Sequence, residues 1–194
     1  MIYVTGDTHG SYRHVRAFAR EHSLGPDDVI VCLGDTGFDY FGDERDDAVK
    51  TRAARAGVTF LCIRGNHDRN PATLADYRLQ PWRDGEAYVD PAYPTLLLAR
   101  DGSVFDLEGR SVIAIGGAYS VDKRHRLANG HLWFPDEQLT EAEKEHVEQV
   151  LDRRHWCIDT VLSHTCPAAF VPQEALLPSI NQSTVDTSME DWLQ

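Results

Sequence analysis

The chain has 194 residues, 42% of them hydrophobic and 26% charged, which suits one globular domain with a core of its own. Its formal net charge of −12 disfavours tight non-specific binding to nucleic acids, since a polyanion is repelled by such a surface. No stretch approaches the roughly 18 apolar residues of a membrane helix, and no basic leader segment follows Met1. We therefore expect a single domain over residues 1–194, located in the cytoplasm and without a membrane partner.

The first third of the chain alternates short apolar runs with helical patterns, and each apolar run predicts a strand. These runs are residues 2–5, 29–33 and 58–63. A helix capped by Ser11 is predicted between the first two strands, and a charged helix over residues 43–56 is predicted before the third. This order of elements favours a parallel sheet with right-handed crossovers.

The middle of the chain predicts a loop followed by antiparallel strands. Residues 71–95 contain four prolines and predict a long loop with one helical turn. The pair Asp101-Gly102 lies between two apolar runs and predicts a β-hairpin. A further strand is predicted over residues 111–115, ending at a pair of glycines.

A long helix is the main predicted element of the last third of the chain. It is predicted to end near Arg154 and to begin at Pro135 or, if Thr140 and Glu143 form a capping box, at Thr140. A short strand over residues 160–162 follows, and the chain ends in the start of another helical pattern.

Polar residues and glycines come directly after four of the predicted strands. These clusters are Gly6-Asp7-Thr8-His9-Gly10, Gly34-Asp35-Thr36-Gly37, Gly65-Asn66-His67-Asp68 and Ser163-His164. Because the carboxyl ends of parallel strands meet at one edge of a sheet, we expect the four clusters to converge there. Their carboxylates, imidazoles and amide oxygen, without a thiolate, suit Mn, Fe, Zn or Ni. One shared carboxylate can bridge two metals about 3.5–4 Å apart, the spacing of two-metal hydrolases.

Each cluster alone also has an ordinary structural explanation. Asp7 and Asp35 could cap helices or form turns, and His164 could be a hydrogen-bonded histidine of the core. The occurrence of all four clusters in order after predicted strands favours a shared site over four independent turns.

The four clusters resemble successive motifs of the calcineurin-like metallophosphoesterases, and the likeness spans about residues 1–165. The resemblance implies a four-layer αββα sandwich of two mixed sheets with a dinuclear metal site at the strand ends. It also implies hydrolysis of a phosphomonoester or a phosphodiester by a metal-bound hydroxide. A phosphate ester would therefore be the substrate, and two divalent metal ions would be the cofactors.

The resemblance further implies a role for each matching residue. Five residues would hold the metals, with Asp7 and His9 on the first, Asp35 as the bridge, and Asn66 and His164 on the second. His67 would contact the phosphate and protonate the leaving group, and Asp68 would orient His67.

Two details of the motifs bear on the substrate. Asp35 is followed by Thr36-Gly37, whereas protein serine/threonine phosphatases of this superfamily carry GDxVDRG, so that branch is disfavoured. His67 stands where some small phosphodiesterases have cysteine, which leaves phosphomonoesters open as substrates.

The closing GHxH motif of the family, which gives one histidine to each metal, has no counterpart after His164. We therefore expect a truncated chain that lacks the last strands of the sandwich. Its exposed sheet edge would then favour pairing with another chain and an oligomer. Water, a neighbouring chain, or His125 or His131 would complete the metal ligands, although a plain surface role fits these two histidines better.

The segment after the strand at residues 111–115 supplies candidate substrate contacts. Tyr119 and Arg124 lie in it and could contact a phosphate or a leaving group, although a solvated loop explains them equally well. Two other functions remain open. A non-catalytic binding module would explain the missing motif, and a nuclease is a third alternative that the acidic composition disfavours.

Overall fold

A computed structural model describes residues 1–176 and 180–194, in which the strands form two sheets. The larger sheet has six strands, β1 (Ile2–Thr5), β2 (Val29–Cys32), β3 (Thr59–Cys62), β4 (Arg78–Trp82), β5 (Gly85–Val89) and β6 (Leu96–Ala99). Their order across the sheet is β1-β2-β3-β6-β5-β4. Strands β1, β2, β3 and β6 are parallel, whereas β5 pairs antiparallel with both β6 and β4, so the sheet is mixed.

The smaller sheet has three strands, β7 (Val104–Asp106), β8 (Ser111–Ile115) and β9 (Thr160–Ser163). Strand β8 lies in the middle, antiparallel to β7 and parallel to β9. Within the described parts of the chain, β9 therefore forms one edge of this second mixed sheet.

The helices are short or of medium length. They are α1 (Arg13–Glu21), α2 (Glu44–Ala54), α3 (Lys123–Ala128), α4 (Glu141–Arg153) and α5 (Ser188–Trp192). Single 3₁₀ turns occur at Pro71–Thr73, Ala168–Phe170, Gln173–Ala175 and Gln182–Thr184. Among the residues described, none of the helices combines the length and the apolar character needed to cross a bilayer.

The sheets and helices stack as four layers with three apolar interfaces. Ile30 and Cys32 of β2 pack with α1 and α2, whereas Val29 and Val31 face the second sheet. Because β2 is buried on both faces, its sequence is continuously apolar. Helices α4 and α5 cover the outer face of the second sheet, where Ile113 is buried. The expected αββα sandwich of two mixed sheets is therefore confirmed.

The predicted loop is wrong over residues 78–89, because these residues form a hairpin. Strands β4 and β5 pair through a turn at Arg83 and Asp84, which both adopt positive φ, of 45° and 67°. Two successive positive φ angles are the signature of a two-residue hairpin turn. Pro81 fits within β4 because this strand lies at the sheet edge, where the missing N–H breaks no ladder bond.

The predicted hairpin at Asp101-Gly102 is also wrong. This turn leads from β6 of the larger sheet to β7 of the smaller one, so the strands on its two sides do not pair with each other. Strand β7 pairs instead with β8. An Asp-Gly pair predicts a tight turn, but it does not specify whether the chain returns to the same sheet.

The helix starts agree with the sequence in one case and differ in another. Helix α4 begins at Glu141, and the side chains and backbones of Thr140 and Glu143 form the predicted capping box. Helix α1 does not use Ser11 as its cap. Its N-cap is Tyr12, whose side chain does not cap the helix because its ring is buried and its hydroxyl donates to the carbonyl of Thr36.

Candidate metal centre

The predicted site residues converge at the carboxyl ends of strands from both sheets. Asp7 and His9 follow β1, Asp35 follows β2, and Asn66 follows β3, so these strands contribute adjacent loops of one parallel edge. His164 follows β9, which belongs to the other sheet. The expectation of one common edge is therefore wrong for His164, and the cluster lies where the ends of the two sheets meet.

The carboxylate of Asp35 lies at the centre of the cluster and is almost fully buried. Its Oδ2 is 3.6 Å from Nε2 of His9, and its Oδ1 is 3.6 Å from Nε2 of His164. Oδ1 also accepts a hydrogen bond from the backbone N–H of His67 at 2.9 Å. A buried carboxylate needs a cation or several hydrogen bonds. The two oxygens of Asp35 therefore face two places where positive charge would be stabilised.

Two groups of side chains have ligand atoms that all lie within 4.8 Å of one another. One group is Asp7, Asp35 and His164, and the other is His9, Asp35 and His67. Asp35 belongs to both groups, as a carboxylate that bridges two cations would. Asp7 therefore groups with His164, and not with His9 as the resemblance implies. The imidazole of His67 lies in the same group as that of His9.

The orientation of His164 is set by a main-chain carbonyl. Nδ1 of His164 is 2.6 Å from the carbonyl oxygen of Leu33. A carbonyl oxygen only accepts, so Nδ1 carries the proton and donates it. In the neutral ring Nε2 then keeps its lone pair, and it points at Oδ1 of Asn66 at 2.8 Å. Metal-binding histidines commonly donate their second ring N–H to a backbone carbonyl in this way.

The amide of Asn66 is oriented by residues after β8. Nδ2 of Asn66 donates to Oγ of Ser120 at 2.8 Å, which turns Oδ1 towards His164. The backbone N–H of Ser120 donates to the buried carboxylate of Glu137, whose second oxygen accepts from the indole of Trp133. The sequence reasoning missed Ser120, although it carries the same signal as the other clusters, a polar residue after glycines that end a strand.

Asp68 holds the loops of the centre together and does not orient His67. Its buried carboxylate accepts hydrogen bonds from the backbone N–H groups of Thr36, Gly37 and Gly65 and from the Thr36 hydroxyl, at 2.8–3.3 Å. None of these donors belongs to His67, so the expected orienting role is corrected. Burial raises the pKa of Asp68, and the negative charge of Asp35 adds to the rise.

The imidazole of His67 lies at the mouth of the centre, partly exposed. Its ring centroid is 5.4 Å from that of His9, in an edge-to-face arrangement. Its Nε2 is 4.0 Å from Oδ1 of Asp122, the carboxylate that lies beside it. Burial lowers the pKa of His67, against the opposing effect of the negative charge of Asp35.

The loops of the centre have a strained and closely packed backbone. Asp7, His9 and Asp35 adopt positive φ angles of 30°, 42° and 50°. Such angles cost free energy in residues other than glycine and are often found at functional sites. A Cβ atom on Gly34 would overlap the ring of His164, and one on Gly65 would overlap the carboxylate of Asp35. Glycine is required at both positions because of these close approaches.

Four further residues singled out in the sequence lie between positions 119 and 131, on α3 or beside it. Tyr119 is partly buried, with the Lys123 ammonium 5.7 Å from its ring centroid, and Arg124 is exposed on α3. His125 and His131 stack on each other with centroids 6.0 Å apart. Neither histidine belongs to the two ligand groups found within residues 1–176 and 180–194.

The donor set fits divalent cations. Nε2 of His164 and Oδ1 of Asn66 are both acceptors and face each other at 2.8 Å, an arrangement that is repulsive unless a proton or a metal ion lies beside them. The buried Asp35 carboxylate faces the same place. Hard oxygen atoms mixed with imidazole nitrogens suit Mn, Fe, Zn or Ni rather than Ca or a thiolate-bound structural zinc.

Comparison with known protein families identifies a family for most of the chain. The model of a protein family described as calcineurin-like phosphoesterase matches residues 1–169 of the 194. The matched part includes every strand and all the residues of the centre described above. No curated protein matches the chain.

Proposed function

The chain belongs to the calcineurin-like phosphoesterase family, and from this premise we propose that it hydrolyses a phosphate ester with two divalent metal ions. The observation that carries the proposal is the geometry of Asp35. One of its carboxylate oxygens lies 3.6 Å from Nε2 of His9, and the other lies 3.6 Å from Nε2 of His164. One buried carboxylate between two imidazoles is the arrangement that two neighbouring cations would share.

Five side chains would hold the metals, namely Asp7, His9, Asp35, Asn66 and His164. The orientation of His164 by Leu33 supports this role, because it leaves Nε2 as a lone-pair donor without a further rearrangement. The metals would supply positive charge that neutralises the phosphoryl oxygens and lowers the pKa of a water molecule towards neutrality.

His67 would place a proton on the leaving oxygen. Its backbone N–H is bound to Asp35, so the residue is fixed beside the centre while its ring faces the mouth. The carboxylate of Asp122, 4.0 Å from Nε2, stabilises the charged imidazolium form. His67 also lies close enough to His9 and Asp35 to serve as a ligand, so the two roles need a direct test.

The arrangement of Asp68 supports the same function indirectly. Its carboxylate joins the loops after β2 and β3 through backbone N–H groups at positions 36, 37 and 65. Asp35 and Asn66 lie in these same loops, so Asp68 fixes the distance between two proposed ligands. Pre-organised ligands of this kind bind a metal with little loss of conformational entropy.

Hydrolysis of nitrophenyl phosphate and of bis(nitrophenyl) phosphate tests the proposal, with Mn²⁺ added and with a chelator in parallel. We expect hydrolysis of at least one ester that depends on the metal and falls by at least about a hundredfold in Asp35→Asn. Asp27→Asn is the matched control, because Asp27 is exposed and lies away from the centre. Activity that is absent with every metal tried, or that survives Asp35→Asn, would contradict the proposal.

A further inference from the structure

A groove of about 440 Å³ opens beside the candidate metal centre. His9 and His67 of the centre line it, together with Gly10, Gly37 and Val49. A volume of this size is within the range of small-molecule sites and exceeds what a phosphate group alone would fill. A phosphate bound between His9 and His67 would therefore leave room in the groove for the rest of its ester.

Two aromatic side chains form the wall of the groove, and both are held in place. The rings of Tyr40 and Phe41 meet edge to face, with centroids 5.0 Å apart. The hydroxyl of Tyr40 accepts a hydrogen bond at 2.9 Å from the buried guanidinium of Arg126. The guanidinium of Arg45 lies 3.8 Å from the centroid of Phe41 and is itself paired with Asp43. Rigid aromatic walls favour a flat apolar partner.

A positive charge lies at the rim of the same groove. Arg52 lines the groove from the last turn of α2 and is exposed. Among the ion pairs formed by residues 1–176 and 180–194, Arg52 takes part in none. On a chain with a net charge of −12, an unpaired guanidinium beside an apolar groove is suited to an anionic group of a ligand.

We propose that the groove bounded by Tyr40, Phe41 and Arg52 is the leaving-group subsite, and that it selects phosphate esters of a planar aromatic group, preferably one carrying an anionic substituent. This inference rests on the proposed function, since it takes the metal centre as the place where the phosphoryl group binds. Tyr40 and Phe41 provide stacking or edge contacts to the ring, and Arg52 contacts the substituent. Arg126 is a positioning residue, which acts through Tyr40.

Calorimetric binding of phosphonates tests the subsite without relying on turnover, because phosphonates are not hydrolysed. With Mn²⁺ present, phenylphosphonate is expected to bind about tenfold more tightly than methylphosphonate. Tyr40→Leu and Phe41→Leu, which keep bulk but remove the aromatic ring, should each reduce this preference to about threefold. If the wild type binds the two phosphonates equally, or if both variants keep the tenfold preference for phenylphosphonate, the inference is overturned.

The contribution of Arg52 is measured by comparing two phosphonates, one with and one without a carboxylate on the ring. 4-Carboxyphenylphosphonate should bind about threefold more tightly than phenylphosphonate, and Arg52→Ala should remove this gain. Arg55→Ala is the matched control, since Arg55 is exposed one turn further along and does not line the groove. If Arg55→Ala removes the gain as fully as Arg52→Ala, general surface charge is responsible and the assignment of Arg52 is wrong.

Hydrolysis assays on the same preparations separate this inference from the proposed function. Hydrolysis of nitrophenyl phosphate together with equal binding of the two phosphonates would overturn the subsite and leave the function standing. A clear preference for phenylphosphonate without hydrolysis of any ester would contradict the function and, with it, the assignment of the groove to a leaving group.

Discussion

The carbonyl oxygen of Leu33 accepts a hydrogen bond from Nδ1 of His164 at 2.6 Å, across 131 positions of the chain. Leu33 directly follows β2 of the larger sheet, whereas His164 follows β9 of the smaller one. The bond therefore fixes the ligand atom Nε2 only when the two sheets are packed together. Metal binding at the proposed centre would for that reason be coupled to the packing of the two sheets.

Metal binding should stabilise the folded chain. At a free Mn²⁺ concentration of 100 times the dissociation constant, one site adds about 2.7 kcal/mol to the free energy of unfolding. For a chain of this length the melting temperature should then rise by at least about 5 °C, as measured by differential scanning calorimetry. A chelator should reverse the shift.

The Asp35→Asn variant distinguishes stabilisation by Mn²⁺ bound at this centre from a general effect of the added salt on stability. In the chelated protein it should be as stable as the wild type or slightly more so, because the amide still accepts from His67 and the buried charge at position 35 is removed. Added Mn²⁺ should leave its melting temperature unchanged. An equal rise in both proteins would show that the cation binds elsewhere.

His67→Asn distinguishes a proton donor from a metal ligand. If His67 is the proton donor, its loss should lower kcat by about 10²–10⁴-fold. The loss should be smaller for nitrophenyl phosphate than for phenyl phosphate, because the phenolate leaving group of phenyl phosphate needs the proton more. The metal content measured by mass spectrometry should stay at the wild-type value. His14→Asn, an exposed position on α1, is the control. Loss of a metal ion in His67→Asn alone would instead identify His67 as a ligand.

The sequence predicts which candidate side chains come together better than it predicts which strands pair. The clusters around Asp7, Asp35 and Asn66 are recognisable because each combines glycine with a polar residue directly after a predicted strand. The partner of His164 is a main-chain carbonyl, which any residue at position 33 would supply, so no sequence pattern reveals it. Side chains alone therefore indicate the ligands but not what orients them.

The errors in the sheets have a common physical origin. Asp101-Gly102 marks a turn, but which strand pairs with which depends on long-range packing between apolar faces. Pro81 argues against a strand only if the strand is central, and the edge position of β4 cannot be known from local sequence. The sequence therefore does not predict the hairpin at Arg83-Asp84, because Pro81 disfavours a strand everywhere except at a sheet edge.

A buried ionic cluster behind α2 predicts a pH-dependent change in stability. Nζ of Lys50 lies 3.0 Å from carboxylate oxygens of both Asp39 and Asp90, and the hydroxyl of Tyr77 donates to Asp39. Lys50→Met leaves two largely buried carboxylates without their cation, which should cost about 3–5 kcal/mol in the free energy of unfolding at pH 7. Urea unfolding measures this difference.

The cost of Lys50→Met should shrink as the pH falls. Burial already raises the pKa of Asp39, although Tyr77 and Lys50 oppose the rise, so removing Lys50 raises it further. A carboxyl group with a raised pKa in the fold destabilises it while ionised, and this cost is relieved as the pH falls through that pKa. Lys144→Met, whose partner Glu141 is exposed, should show a smaller loss with little pH dependence. A constant deficit for Lys50→Met between pH 7 and 5 would contradict this account.

The close approach of Gly34 to His164 predicts a difference between two alanine substitutions that share the same backbone strain. Gly34 and Gly109 both have positive φ, of 100° and 77°, so either substitution should cost about 1–2 kcal/mol in backbone energy. A Cβ on Gly109 meets nothing within 4 Å, whereas one on Gly34 would overlap the imidazole of His164 and lie 2.8 Å from Cα of Gly65. Gly34→Ala should therefore lose a further 1–3 kcal/mol, as overpacked sites do, and bind Mn²⁺ at least about tenfold more weakly. Gly109→Ala should bind the metal as the wild type does, because only Gly34→Ala displaces Nε2 of His164. Equal losses of stability with unchanged metal affinity in both variants would mean that the position of His164 does not depend on the space left by Gly34.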